Sequence, residues 1–308
     1  MFNHLDIQKI YNKLKNKKIG KNAEYIPELK KVDPSIYAIS ICTIHGESFD
    51  IGDFNSEVAI ESVSKIFTLA LALKKHNIQK VVDKIGIDRS NLAFNSIQAV
   101  ESSDSHTINP FVNAGAMATT SLLYNSSLSK KQNEKTMTTK IINNMSEFAN
   151  KKLSINYKIY QSEMNNIYHN KSLAYLLYSY NRFYGDVDTV VDVYTKQCSV
   201  MVNSKDVAIM AATIANHGVN PISHKECISK SHAEFIVEVM TKGGLYNYSS
   251  EFFKNTHMPA KSGVGGIIMI VLPGVMGIAI VSPPLDKNGN SAKGIKTAEL
   301  LSKLHIYH

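Results

Sequence analysis

The stretch Gly265 to Val281, GGIIMIVLPGVMGIAIV, is the longest apolar run in the sequence and the strongest constraint on its fold. It falls short of the ~20 apolar residues that a membrane-spanning helix needs. Pro273 and Gly274 place a turn signal at its centre, and Gly277 interrupts its second half. The run therefore reads as two buried strands joined by a turn. A second strand pair is expected near the other end of the chain. Ser35 to Thr43, SIYAISICT, is rich in β-branched and aromatic residues, and His45-Gly46 separates it from Glu47 to Phe54. From Ile60 the period changes. Ile66, Leu69, Ala70 and Leu73 fall at i, i+3, i+4 and i+7, which predicts a helix with one buried face running to about Lys75. Residues 80 to 245 are mostly helical in pattern, with polar breaks at Ser102 to Pro110 and Asn216 to Pro221, and Ala292 to Leu304 reads as a closing helix. Strand pairs at both ends of a chain can join in one antiparallel sheet, with the helical middle as a second lobe. That is an α+β arrangement, and a cleft between the lobes is the natural place for a site.

A chain of 308 residues can bury a substantial core. Its formal charge of +8 raises the question of nucleic acid, but the lysines are dispersed and no recognition motif accompanies them. The densest basic stretch, Lys13 to Lys21, reads as the solvated face of an amphipathic N-terminal segment. No nucleic-acid partner is expected. Cys42, Cys198 and Cys227 are too few and too far apart for a zinc site or a disulfide framework, and their odd number fits a reducing compartment. The first residues lack the apolar core of a signal peptide. The expectation is a cytoplasmic protein with no membrane segment.

Ser62-Val63-Ser64-Lys65 is an S-x-x-K element at the start of the first long helix. Residues at i and i+3 share a helix face, so the lysine amine can reach the serine hydroxyl. A neutral amine can take the proton of a serine that is otherwise a poor nucleophile. The helix N-terminus adds backbone N–H groups able to hold an oxyanion. The bland alternative is a serine cap followed by a surface lysine, and the same spacing recurs at Ser127-Leu128-Ser129-Lys130 in a polar stretch. Only Ser62 opens an apolar helix directly after a hairpin. Lys261-Ser262-Gly263 opens the late strand pair, as a Lys-Thr-Gly triad does in penicillin-recognising serine enzymes. The Ser-Asp-Asn element of those enzymes has no counterpart. A penicillin-binding or β-lactamase-like hydrolase is the alternative reading.

Several further segments resemble the glutaminase family, over about residues 20 to 305. They are GKNAEYIP from Gly20, VDPS from Val32, ESVSK from Glu61, Phe94-Asn95-Ser96, NPFVNAGA from Asn109, YTKQCS from Tyr194, GGLY from Gly243 and PAKSGVGG from Pro259. The resemblance implies a β-lactamase/transpeptidase-like fold and hydrolysis of L-glutamine to L-glutamate and ammonia. It implies a homodimer or homotetramer, no metal and no organic cofactor. It makes residues 1–308 a single catalytic domain with a helical extension at 1–19. It assigns Ser62 as nucleophile, Lys65 as its base, and Tyr25 and Tyr246 as further active-site residues. Substrate-binding positions carry over to Ser62, Asn113, Glu163, Asn170, Tyr194, Tyr246 and Val264. Glutamine presents an α-ammonium, an α-carboxylate and a γ-carboxamide. Glu163 suits the first, and Asn113, Asn170 and Tyr194 suit the second. Read without the resemblance, Asn113 is a helix cap before Ala114, Asn170 a turn residue, and Tyr194 and Tyr246 core edges.

Overall fold

The computed structural model describes residues 3–89, 93, 95–101 and 105–304. Phe94, the start of the Ser102 to Pro110 break, and the ends of the chain lie outside the described residues. The first strand pair is β1 (Ala38–Thr43) and β2 (Ser48–Gly52), an antiparallel hairpin in which Ala38 faces Gly52. Two short strands, β3 (Val58–Ala59) and β4 (Met201–Val202), pair with each other and tie the region before Ser62 to the helical lobe. Near the C-terminus come β5 (Ala260–Gly263), β6 (Ile267–Leu272) and β7 (Met276–Val281). The main sheet has the order β2-β1-β7-β6-β5 and is antiparallel throughout. The ends of the chain thus meet in one sheet, as the pattern predicts. One detail differs. Lys261-Ser262-Gly263 does not simply open a strand pair but forms a third strand of its own, with Lys261 opposite Met269.

Both faces of this sheet are covered, which is why its central strands carry an unbroken apolar run rather than an alternating one. Ile268, Ile270, Leu272, Ile278 and Ile280 point to one side. There they pack with Ile7, Ile10 and Leu14 of helix His4–Leu14, Phe252 of helix Ser249–Thr256, and Ile295, Ala298 and Leu301 of helix Ala292–Ser302. Ile267, Met269, Val271, Ala279 and Val281 point to the other side, into a core shared with the helical lobe. Helix Ser204–Ala215 lies directly on that face. It crosses at Gly277, where an added Cβ would stand 2.2 Å from the backbone nitrogen of Ala212. Only glycine allows that approach.

The N-terminal helix ends at Leu14, so Lys15, Lys17 and Lys18 follow it rather than forming part of its face, and all three are exposed. Between the strand pairs the described chain is largely helical. No helix among the described residues is long and apolar enough to cross a membrane. The three cysteines are buried and unpaired.

Candidate active site

The helix expected to open at Ser62 is split in two. Glu61–Val63 forms a 3₁₀ turn and the α-helix runs from Ser64 to Lys75. The Ser64 hydroxyl donates to the Glu61 carbonyl at 2.6 Å and closes the turn. Ser62 therefore sits on the turn just before the helix, and Lys65 lies one turn further along the same face. The second copy of the motif is ordinary. Ser129 caps helix Lys130–Ala149 through a capping box with Gln132, and exposed Lys130 pairs with Asp186 at 2.5 Å.

Lys65 is 1% exposed. Its Nζ donates to the Phe111 carbonyl at 3.0 Å and to Asn113 Oδ1 at 2.8 Å, both neutral acceptors. Burial pushes its amine down to about 8, against weaker opposing pulls from Cys198 and Glu61. The NPFVNAGA segment sets up these contacts. Asn109 Oδ1 accepts from the backbone of Phe111 and Val112, folding the loop that leads into helix Asn113–Ser121. Val112 is the N-cap, so Asn113 is not a cap but the first helical residue. Its side chain is used elsewhere: Oδ1 accepts from Lys65 and from the Tyr194 hydroxyl at 3.3 Å, and Nδ2 donates to Asn170 Oδ1 at 3.1 Å. Asn170 lies inside helix Tyr168–Ser179 rather than in a turn. Tyr194, on helix Val187–Cys198, is fully enclosed rather than at a core edge, and burial holds its hydroxyl well above the usual range.

On the opposite wall, the turn between β5 and β6 comes down onto the nucleophile segment. A Cβ on Gly265 would lie 2.1 Å from the Ala59 carbonyl oxygen, and one on Gly263 2.7 Å from that of Ile60. The absence of side chains there brings Val264 beside Ser62. Tyr246 has φ +58° and Glu61 has φ +48°, two non-glycine residues in left-handed conformations on either side of the same centre. The Tyr246 hydroxyl donates to the Ser262 carbonyl at 3.3 Å and accepts from the Ser62 side chain. Burial raises it, so it keeps its proton. Lys261 Nζ donates to the same carbonyl at 2.7 Å and lies 4.5 Å from the Tyr246 ring centroid. Burial, together with the nearby Lys65 charge, holds its amine well below the usual lysine range.

A cavity of about 210 Å³ collects Tyr25, Ser62, Asn113, Glu163, Asn170, Tyr194 and Val264 in its lining. That is below the ~300–1,000 Å³ of sites for drug-sized ligands and suits a molecule of amino-acid size. Lys65 stands behind it and Tyr246 beside it. A larger cleft of about 790 Å³ adjoins, sharing Tyr25 and lined also by Tyr246, but it carries neither the serine nor the lysine. Sequence reasoning assigned no role to Glu61, Asn95, Asn166, His169 and Cys198, which also line the cavity. His169 Nε2 bonds the Asn95 carbonyl at 2.6 Å, joining helix Tyr168–Ser179 to the segment after Ala93. Glu61, Asn95 and Cys198 lie inside segments singled out in the sequence; Asn166 and His169 lie between Glu163 and Asn170, outside all of them. Among the described residues no cluster of His, Cys, Asp and Glu could hold a metal ion.

The comparisons with known proteins agree on one family. The glutaminase family profile matches residues 20–308. The chain belongs to the glutaminase family. It is similar to a glutaminase of Colwellia psychrerythraea, with 44% identity over 96% of this chain and 93% of that protein. It is also similar to glutaminase 1 of Escherichia coli K12, at 40% identity over 92% and 90%. Among solved structures, the probable glutaminase ybaS superimposes with a TM-score of 0.93 at 39% identity, covering 97% of this chain and 95% of the other. A Bacillus glutaminase does so with a TM-score of 0.85 at 27% identity. The fold is the β-lactamase-like α+β fold of this glutaminase family.

Proposed function

We propose that this glutaminase hydrolyses L-glutamine to L-glutamate and ammonia through an acyl-enzyme on Ser62. The observation that carries the reading is the Lys65 amine, buried, held only by neutral acceptors and pushed to about 8. A lysine in that state is unprotonated in a useful fraction near neutral pH and can act as a general base. Lys65 takes the Ser62 proton, and Ser62 attacks the γ-carbonyl carbon. The backbone N–H groups of Ser62 and Val264 hold the oxyanion. Collapse of the tetrahedral intermediate releases ammonia, which takes its proton from the Tyr246 hydroxyl; Tyr246 regains the one that Lys65 took from Ser62. Tyr246 is better placed for this than Tyr25, which is 57% exposed at the cavity rim. Water then hydrolyses the γ-glutamyl ester.

Glu163 pairs the substrate α-ammonium, while Asn113, Asn170 and Tyr194 bond its α-carboxylate. A small cavity that pairs both charges disfavours amides lacking either, because its buried polar groups would be left unpaired. Neither a metal nor an organic cofactor is part of this scheme. We read residues 1–308 as one catalytic domain with residues 1–19 as an extension. We read the assembly as a homodimer or homotetramer and the location as cytoplasmic, in line with three unpaired cysteines. An ammonia-release assay tests the reaction, with L-glutamine against L-asparagine and a fluorescent penicillin as a labelling control. Glutamine is the expected substrate and no labelling is expected. Faster turnover of asparagine would overturn the account of the pocket.

A further inference from the structure

Glu61 plays no part in the steps above, yet few side chains here are more constrained. It is 3% exposed and its backbone is left-handed at φ +48°, a strained conformation for a residue that carries a side chain. The β5–β6 turn lies over its stem: a Cβ on Gly263 would lie 3.4 Å from Glu61 Cβ, and one on Gly265 3.5 Å from its Cγ. At its other end the carboxyl group is hydrogen-bonded to that of Glu163, on helix Tyr157–Met164. Its Oε1 is buried with no hydrogen-bond partner among the described residues. The side chain is thus a strut between the turn that carries Val264 and the carboxylate assigned to the α-ammonium.

Two carboxyl groups bonded to each other in a buried site share a proton, because the dianion is strongly disfavoured there. Burial and the Glu163 charge push Glu61 well above the carboxylate range, outweighing the pull of Lys65. Burial raises Glu163 only to about 7, with hydrogen bonds from Ser199 and Glu61 opposing it. The two carboxyls therefore titrate as one pair, which holds a single proton between them near neutral pH. Tyr194, Tyr246 and Cys198 also face the pair, each held in its neutral form by burial, and Tyr25 at the cavity rim has its hydroxyl raised by partial desolvation and by the carboxyl groups themselves.

We propose that Glu61 is a positioning residue which, as a neutral acid donating to Glu163, fixes the direction and the single negative charge of the ammonium subsite. The proposal rests on Glu163 being that subsite. It makes Glu61 a determinant of preference for γ-amides that carry an α-ammonium. Kinetics of Glu61→Met and Glu61→Gln test it, with L-glutamine and with glutaric acid monoamide, which has the same amide and no ammonium. Methionine keeps the packing and removes the donor; glutamine restores a donor. Glu61→Met should raise KM for glutamine about tenfold with kcat within about threefold, and should narrow the preference for glutamine over the monoamide. Glu61→Gln should return both to near wild-type values. A loss of kcat at unchanged KM in Glu61→Met, or a Glu61→Gln variant as impaired as Glu61→Met, would overturn the proposal. Should Glu61→Met not fold, Glu61→Gln decides alone: a raised KM contradicts it and a wild-type KM supports it. Glu163→Gln separates the premise, since an unchanged glutamine KM there would mean that Glu163 is not the ammonium subsite at all.

Discussion

In the proposed mechanism a single proton separates the resting Ser62 from the attacking one, and Lys65 decides where that proton is. The base must be unprotonated to act, so a lysine with its amine at about 8 loses activity as the pH falls through 8 and gains nothing further well above it. Glu163, at about 7, must be ionised to pair the substrate ammonium as proposed. A pH series of initial rates should therefore show kcat rising to a plateau above pH 8, with kcat/KM falling more steeply than kcat below pH 7. A kcat independent of pH between 6 and 9 would contradict the role of Lys65. Lys65→Met should lower kcat by about 10²–10⁴ without loss of thermal stability, because a buried amine gives way to an apolar chain of similar length. Ser62 and Lys65 were legible from spacing and setting alone. Asn113 and Tyr194 were not, because their roles come from contacts with Lys65 and with each other that no spacing records. The Glu61–Glu163 pair is the extreme case: only the folded chain brings the two together.

Between strands and helices, close approaches at glycine position the catalytic parts. Gly265→Ala would drive a Cβ to 2.1 Å from the Ala59 carbonyl, so the β5–β6 turn must lift and carry the Val264 N–H away from the proposed oxyanion position. The expected result is a loss of about 10²–10³ in kcat, as for removal of one oxyanion donor, checked by steady-state kinetics. Gly277→Ala would instead push helix Ser204–Ala215 off the sheet, remote from the cavity. About 1–3 kcal/mol of stability should be lost in denaturant titration with kcat little changed. The apolar run and the first hairpin announced four of the main sheet's strands. The fifth, β5, was half hidden: AKSG carries one apolar residue, and the buried Lys261 and Ser262 give it no apolar strand pattern. The 3₁₀ turn at Ser62 was likewise unreadable, since its φ of +48° at Glu61 is imposed by the turn above it and not preferred by glutamate.

Across the whole molecule, the two chain ends build the sheet that the helical middle needs as a platform. Helix His4–Leu14 seals the outer face of that sheet together with Ala292–Ser302. Ile7 is fully buried there, so Ile7→Ala should cost about 2–4 kcal/mol and lower the melting temperature while leaving KM for glutamine unchanged. The sequence pattern left that segment as a bare amphipathic extension, because its partners, among them Tyr37 and the helix Ala292–Ser302, are distant in sequence. The site is spread in the same way: one cavity draws Tyr25, Ser62, Asn113, Glu163, Tyr194 and Val264 from segments scattered along the sequence. What unites them is the serine that they surround. Ammonia release from L-glutamine by Ser62→Ala, at pH 8 and with its melting curve measured alongside, tests this most directly. The account predicts a wild-type melting temperature with turnover lowered at least about 10³-fold; substantial ammonia release from the folded variant would contradict it.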